Sequence, residues 1–112
     1  MEIEIVQSTP RLVCIALTGR LDTPGVDRIE TRFNVALAGG VDSVVDLSGV
    51  TFLASMGVRL LLTGAKLLNR KGARMVLVAP SGLVGQALTH SSLDELIPVA
   101  ADTDAALALL AS

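Results

Sequence analysis

The chain has 112 residues, of which 51% are hydrophobic but only 2% aromatic, with no Trp or Tyr and a formal net charge of −2. This is the size of one domain, 1–112, long enough to bury a core without disulfide staples. Base-stacking platforms and bulk positive charge are both missing, which argues against nucleic acid as a partner.

Glu2-Ile3-Glu4-Ile5-Val6 alternates polar and apolar and predicts a half-exposed edge strand. Gln7 to Pro10 is a turn, and Arg11 to Leu17 an interior strand. Thr23-Pro24 starts a helix, with Thr as a possible cap and Pro at the first helical position. Val26, Ile29, Phe33, Ala36 and Leu37 share its apolar face, and Gly39-Gly40 stops it. Ser43 to Leu47 is a short buried strand, followed by a loop from Ser48 to Ser55. Met56 to Lys71 is the longest helix, ended by Gly72. Met75 to Ala79 is a strand, Pro80-Ser81-Gly82 a turn, and Leu83, Val84, Ala87 and Leu88 lie on a short helix. Leu96 to Val99 is a last strand, placed at a sheet edge by Pro98. A final helix starts at Asp102 or Thr103 and runs to about Leu110. Alternating strands and helices predict an α/β fold. Its mixed sheet has about five strands, the first two antiparallel and the rest parallel, with about four helices.

Chemistry-bearing residues are few. Cys14 lies in the apolar run Leu12 to Ile15 and reads as a buried, inert thiol. With His90 as the only histidine, no ordinary zinc site can form, and His90 itself follows a helix whose last carbonyls it can meet. No glycine motif for phosphates is present, so neither a cofactor nor a catalytic residue is assigned. Asp46 reads as a strand-end acid that accepts from loop amides, and Asp22 as a turn or cap residue. The acidic start, Met1 to Glu4, is unlike a signal peptide, and no stretch fits a membrane span. A cytoplasmic protein without direct membrane insertion is expected.

Two features of the longest helix stand out. Met56, Leu60 and Leu67 form an apolar flank beside Gly57 and Gly64, in addition to the core face of Val58, Leu61, Ala65 and Leu68. Either a neighbouring helix covers this flank or a partner docks there. Ser55 stands at or next to the N-cap. Its hydroxyl can cap the first turn, and the same place favours a phosphate.

The stretch from Val45 to Leu61, containing Asp46-Leu47-Ser48-Gly49 and Ala54-Ser55-Met56-Gly57, resembles the central signature of STAS domains, the anti-sigma factor antagonist family. Lys71 to Val78 is similar to the helix end and strand that follow. Leu17-Thr18-Gly19-Arg20-Leu21-Asp22 is similar to the family's second strand, and Ser91 to Leu96 to the segment before its last strand. The resemblance implies a STAS-like fold and a bacterial, non-enzymatic regulator of transcription. Such a protein binds an anti-sigma factor, a serine kinase of the histidine-kinase-like ATPase type, and releases a sigma factor. Ser55 matches the phosphorylated position and Asp22 the strand-end acid. Met56, Gly57 and Leu60 match the docking surface, with Leu67 on the same flank. The family pattern there is Asp-Ser-Ser/Ala-Gly, and this chain has Ala54 in place of the acid. The other role the resemblance implies is a non-switching scaffold subunit of a stress-sensing complex or an ABC-type lipid transporter.

Overall fold

The computed structural model describes residues 1–111; Ser112, the last residue of the expected domain span, lies outside the described residues. The chain order is β1 (Glu2–Ser8), β2 (Leu12–Leu21), α1 (Thr23–Leu37), β3 (Asp42–Leu53), α2 (Ser55–Arg70), β4 (Met75–Val78), α3 (Gly82–His90), α4 (Leu93–Leu96), β5 (Val99–Ala100) and α5 (Thr103–Ala111). The strands form one five-stranded sheet in the order β1-β2-β3-β4-β5. β1 and β2 are antiparallel, and every later neighbour is parallel. A tight turn joins the antiparallel pair, in which the Thr9 hydroxyl oxygen accepts from the Leu12 N–H at 2.9 Å.

Each crossover moves the chain one strand further in the same direction. Right-handed connections of that kind keep their helices on one face of the sheet. α1 to α4 accordingly share one core with that face, built from Ile15, Leu17, Phe33, Leu47, Leu61, Leu68, Leu77 and Leu88, among others. The other face carries a smaller cluster of Val44, Val76, Val78 and Ala100 under Ala106 of α5. β4 is therefore buried on both sides, which explains its unbroken apolar run Met75-Val76-Leu77-Val78.

Several expectations change. β3 does not stop at Leu47: the expected loop from Ser48 continues as strand to Leu53, because β2 also continues and pairs with it through Leu21↔Leu53. Two register shifts, after Ala16 and after Gly19, accommodate the polar residues in that extension. Of the expected strand Leu96 to Val99, Leu96 ends the helical turn α4 and only Val99 is strand, opening the two-residue β5. Leu93 and Ile97 are the buried anchors of that segment, a spacing of four that suits a helical turn. The helices thus number five among the described residues, not four. β5 does lie at the sheet edge, as Pro98 implies. Cys14 is half-buried rather than buried, since α5 covers only part of the second face, and that partial burial still pushes its thiol pKa up.

Candidate functional site

The carboxyl ends of β2 and β3 lie side by side, and α1 and α2 begin there. After Leu21↔Leu53, the Ala54 N–H donates to the Leu21 carbonyl at 3.1 Å. The two strands then part into their helices, leaving Asp22 and Ser55 each one residue beyond this tie, at the rim.

Asp22 is the N-cap of α1, a place the sequence also offered to Thr23. Its extended backbone lets Oδ1 accept from the Gly25 N–H at 2.9 Å. Its Oδ2 accepts from Arg20 Nε at 3.2 Å. The Gly25 amide above all holds the Asp22 carboxyl below the usual carboxylate range, with Arg20 adding to it and desolvation opposing. Arg20 and Asp22 share one side of the strand end because side chains alternate with a period of two. The Arg20 guanidinium also lies 4.3 Å from the centre of the Phe52 ring.

Ser55 is exposed, but it is not a cap. Ala54 occupies the N-cap position, and no side chain closes the first turn of α2. The turn is held by its own backbone, with the Val58 N–H donating to the Ala54 carbonyl at 3.0 Å. The first turn contains no acidic residue, so no charge within α2 itself meets the positive end of its dipole.

The residues grouped with Ser55 in the sequence do not all reach the surface. Met56 is half-buried against the core. Gly57 is buried, and a Cβ there would come within 2.6 Å of the Leu21 carbonyl oxygen. Leu60 is only 4% exposed. α1 covers this flank: Val26, Glu30 and Asn34 face Met56, Arg59, Leu60 and Thr63 across a notch of about 80 Å³. Further along, Phe33 and Leu37 of α1 pack against Gly64. Leu67, half-buried, lies about 18 Å from Ser55 by helical rise. The wide apolar arc of α2 is therefore mostly an internal seam between two helices. At the rim, Asp22, Ser55 and the exposed part of Met56 are what that set presents outward, with part of Leu67 exposed further along α2.

Three contributors were not assigned to the rim from the sequence. Arg20 and Phe52 join the rim from the strand ends, and the Arg20 to Asp22 spacing was the one available signal. His90 arrives from the last turn of α3, as its final residue rather than the one after it. A groove of about 390 Å³ has Ala54, Ser55 and Val58 on one wall and Ala87, His90 and Ser91 on the other, with Leu53. Nothing local in the sequence signals that meeting. A larger groove, about 600 Å³, lies at the opposite end of the sheet between α1 and the β1–β2 hairpin. Its lining is largely apolar, with Arg32 as its one ionisable side chain among the described residues. Among the described residues, no three His, Cys, Asp or Glu side chains gather as metal ligands would, and no helix is long and apolar enough to cross a membrane. Asp46 accepts from the Ser48 N–H at 2.9 Å, which gives it a backbone role away from the rim.

This fold, with two helix starts beside paired strand ends, is that of the STAS domain. The chain matches that family over residues 3–106 and belongs to it. It is 28% identical over 95 residues to an anti-sigma F factor antagonist from Lysinibacillus sphaericus, covering 83% of this chain and 81% of that protein. The solved structure of an anti-sigma-factor antagonist domain protein from Planctomyces limnophilus superposes with a TM-score of 0.87 at 24% identity, covering 98% of each chain. The anti-sigma factor antagonist SpoIIAA in its unphosphorylated form gives 0.79 at 26% identity, covering 95% of this chain and 93% of that one. The phosphorylated form of Bacillus SpoIIAA gives 0.71 at 24% identity, covering 96% and 99%.

Proposed function

We propose that the chain is a non-enzymatic anti-sigma factor antagonist. It binds an anti-sigma factor through the rim around Ser55 and so frees a sigma factor. The partner is a serine kinase of the histidine-kinase-like ATPase type, and its phosphorylation of Ser55 ends the binding. The observation that carries this reading is the placement of Ser55: exposed, engaged in no cap, and one residue beyond the Ala54 N–H that ties its strand end to the one carrying Asp22. The similarity to SpoIIAA, a protein solved in both forms, supports it.

In the transfer, Ser55 Oγ forms a bond to the γ-phosphorus of a nucleoside triphosphate. The bond to the β–γ bridging oxygen breaks, the diphosphate leaves, and the hydroxyl proton passes to a base on the kinase. The product carries about −1.5 to −2 charges at neutral pH. A partner seated on Met56 and the rim would have to desolvate that charge, which opposes docking. Unmodified Asp22, kept ionised by Gly25 and Arg20, offers a fixed anion for a basic partner residue.

The test is incubation with candidate anti-sigma kinases and ATP, followed by peptide mapping and by binding measurements on both forms. Phosphate on Ser55 and weaker binding of the modified chain are expected. Absence of both modification and binding overturns the reading. Ala54 favours one alternative, a non-switching scaffold subunit of a stress-sensing complex or an ABC-type lipid transporter. In that case the chain binds its partner complex and no kinase modifies it.

A further inference from the structure

We propose that His90 is a positioning residue for a phosphoryl group on Ser55, holding it in the groove between the start of α2 and the end of α3. The inference rests on the reading of Ser55 as the modified residue and adds where the new charge goes. The groove of about 390 Å³ has room for a phosphoryl group, and His90 is the one ionisable side chain that lines it. Ser91 is there too, but its hydroxyl donates to the Leu88 carbonyl at 3.1 Å. At residue 54 an alanine keeps a carboxylate out of the groove. Asp22 is not among the residues that line this groove; its carboxyl is engaged by the Gly25 N–H and Arg20 at the start of α1. Within the groove, the His90 imidazole is thus the side chain left to draw the phosphoryl group.

Other charges flank this pair. Arg20 is already committed to Asp22 and Phe52. Arg59 faces the α1 notch with Glu30. Asp94 of α4 lines a neighbouring hollow with His90, and its Oδ2 accepts from the Thr89 hydroxyl at 3.0 Å. His90 therefore stands between one fixed acid and the site of the new one. An imidazolium gains a charge-assisted hydrogen bond when the phosphoryl arrives.

The experiment installs phosphoserine at position 55 during translation, so that no kinase is needed. The second ionisation of the phosphate is then followed by phosphorus NMR between about pH 5 and 8. For an exposed pair, His90→Gln should raise that ionisation by about 0.2–0.7 pH unit. His90→Arg should keep it low, and Arg20→Gln should move it less than His90→Gln. An unchanged titration in His90→Gln overturns the proposal, as does an equal or larger shift in Arg20→Gln. Circular dichroism of each variant confirms that the fold is retained. If neither kinase modification nor partner binding is found while the titration still depends on His90, the antagonist reading fails and only the pairing of His90 with a phosphoryl group at position 55 stands.

Discussion

The Ala54 N–H donates to the Leu21 carbonyl at 3.1 Å, and that bond is the last tie between two parallel strands before each becomes a helix. It ties together the strand ends that carry Asp22 and Ser55, although 32 residues lie between those two in the chain. The rim depends on this close approach of α2 to the end of β2.

Gly57 makes the approach possible. A Cβ at this position would lie 2.6 Å from the Leu21 carbonyl oxygen and 2.7 Å from Leu53 Cδ1. Replacing Gly by Ala in a helix gains about 1 kcal/mol of propensity. A clash with backbone cannot be relieved by a rotamer change, and overpacking costs about 1–3 kcal/mol. Gly57→Ala should therefore lower stability in urea melts and weaken partner binding. Gly85→Ala, with nothing within 4 Å of its Cβ, should instead be neutral or stabilising.

Leu60 belongs to the seam between α1 and α2. At 4% exposure, Leu60→Ala should cost about 2–5 kcal/mol in chemical unfolding. Leu60→Glu should cost more, since it buries an unpaired carboxylate. Met56, half-buried at the rim, is the better probe of docking. Met56→Ala should weaken partner binding more than it lowers stability.

The Ser55 hydroxyl caps nothing, so Ser55→Ala should change stability by no more than about 0.5 kcal/mol. Ser55→Asp should stabilise the fold by about 0.3–1 kcal/mol, because the first turn of α2 holds no acid to meet the dipole. The same variant should bind the anti-sigma partner more weakly than wild type. Thermal melts and titration calorimetry on both variants check the two effects separately.

Asp22 gives the stability a pH dependence with a defined sign. Its carboxyl is held low in the fold, chiefly by the Gly25 N–H. Its contribution is thus complete above the unfolded carboxylate value, about 3.9. It fades as pH falls through the lower folded value. Asp22→Asn keeps an acceptor for Gly25 but cannot ionise. The stability gap between wild type and this variant should be present at neutral pH and shrink near about pH 3. A gap that persists unchanged there would contradict the assignment.

Much of this architecture is local in origin and therefore legible along the chain. The edge strand announces itself by the alternation of Glu2 to Val6, α1 by Pro24 and the spacing of Val26, Ile29 and Phe33, and the parallel order by the alternation of elements. Ser55 and Asp22 could be marked as candidates because a helix start and a strand end each have recognisable residues. The extension of β3 to Leu53 was not legible, because only pairing with the far end of β2 makes Ser48 to Leu53 a strand. Nor was the fate of the apolar flank of α2. One helix viewed alone shows a surplus of Leu and Met, and only the packing of α1 turns Leu60 from surface into seam. His90 makes the same point for the site. Its place on the same groove as Ser55 follows from how α3 returns across the sheet, a meeting of residues 35 apart that no periodicity encodes. Patterns of three, four or two residues specify elements and the faces they bury. Which faces meet, and which side chains are left at the rim, is decided only when the long-range contacts close.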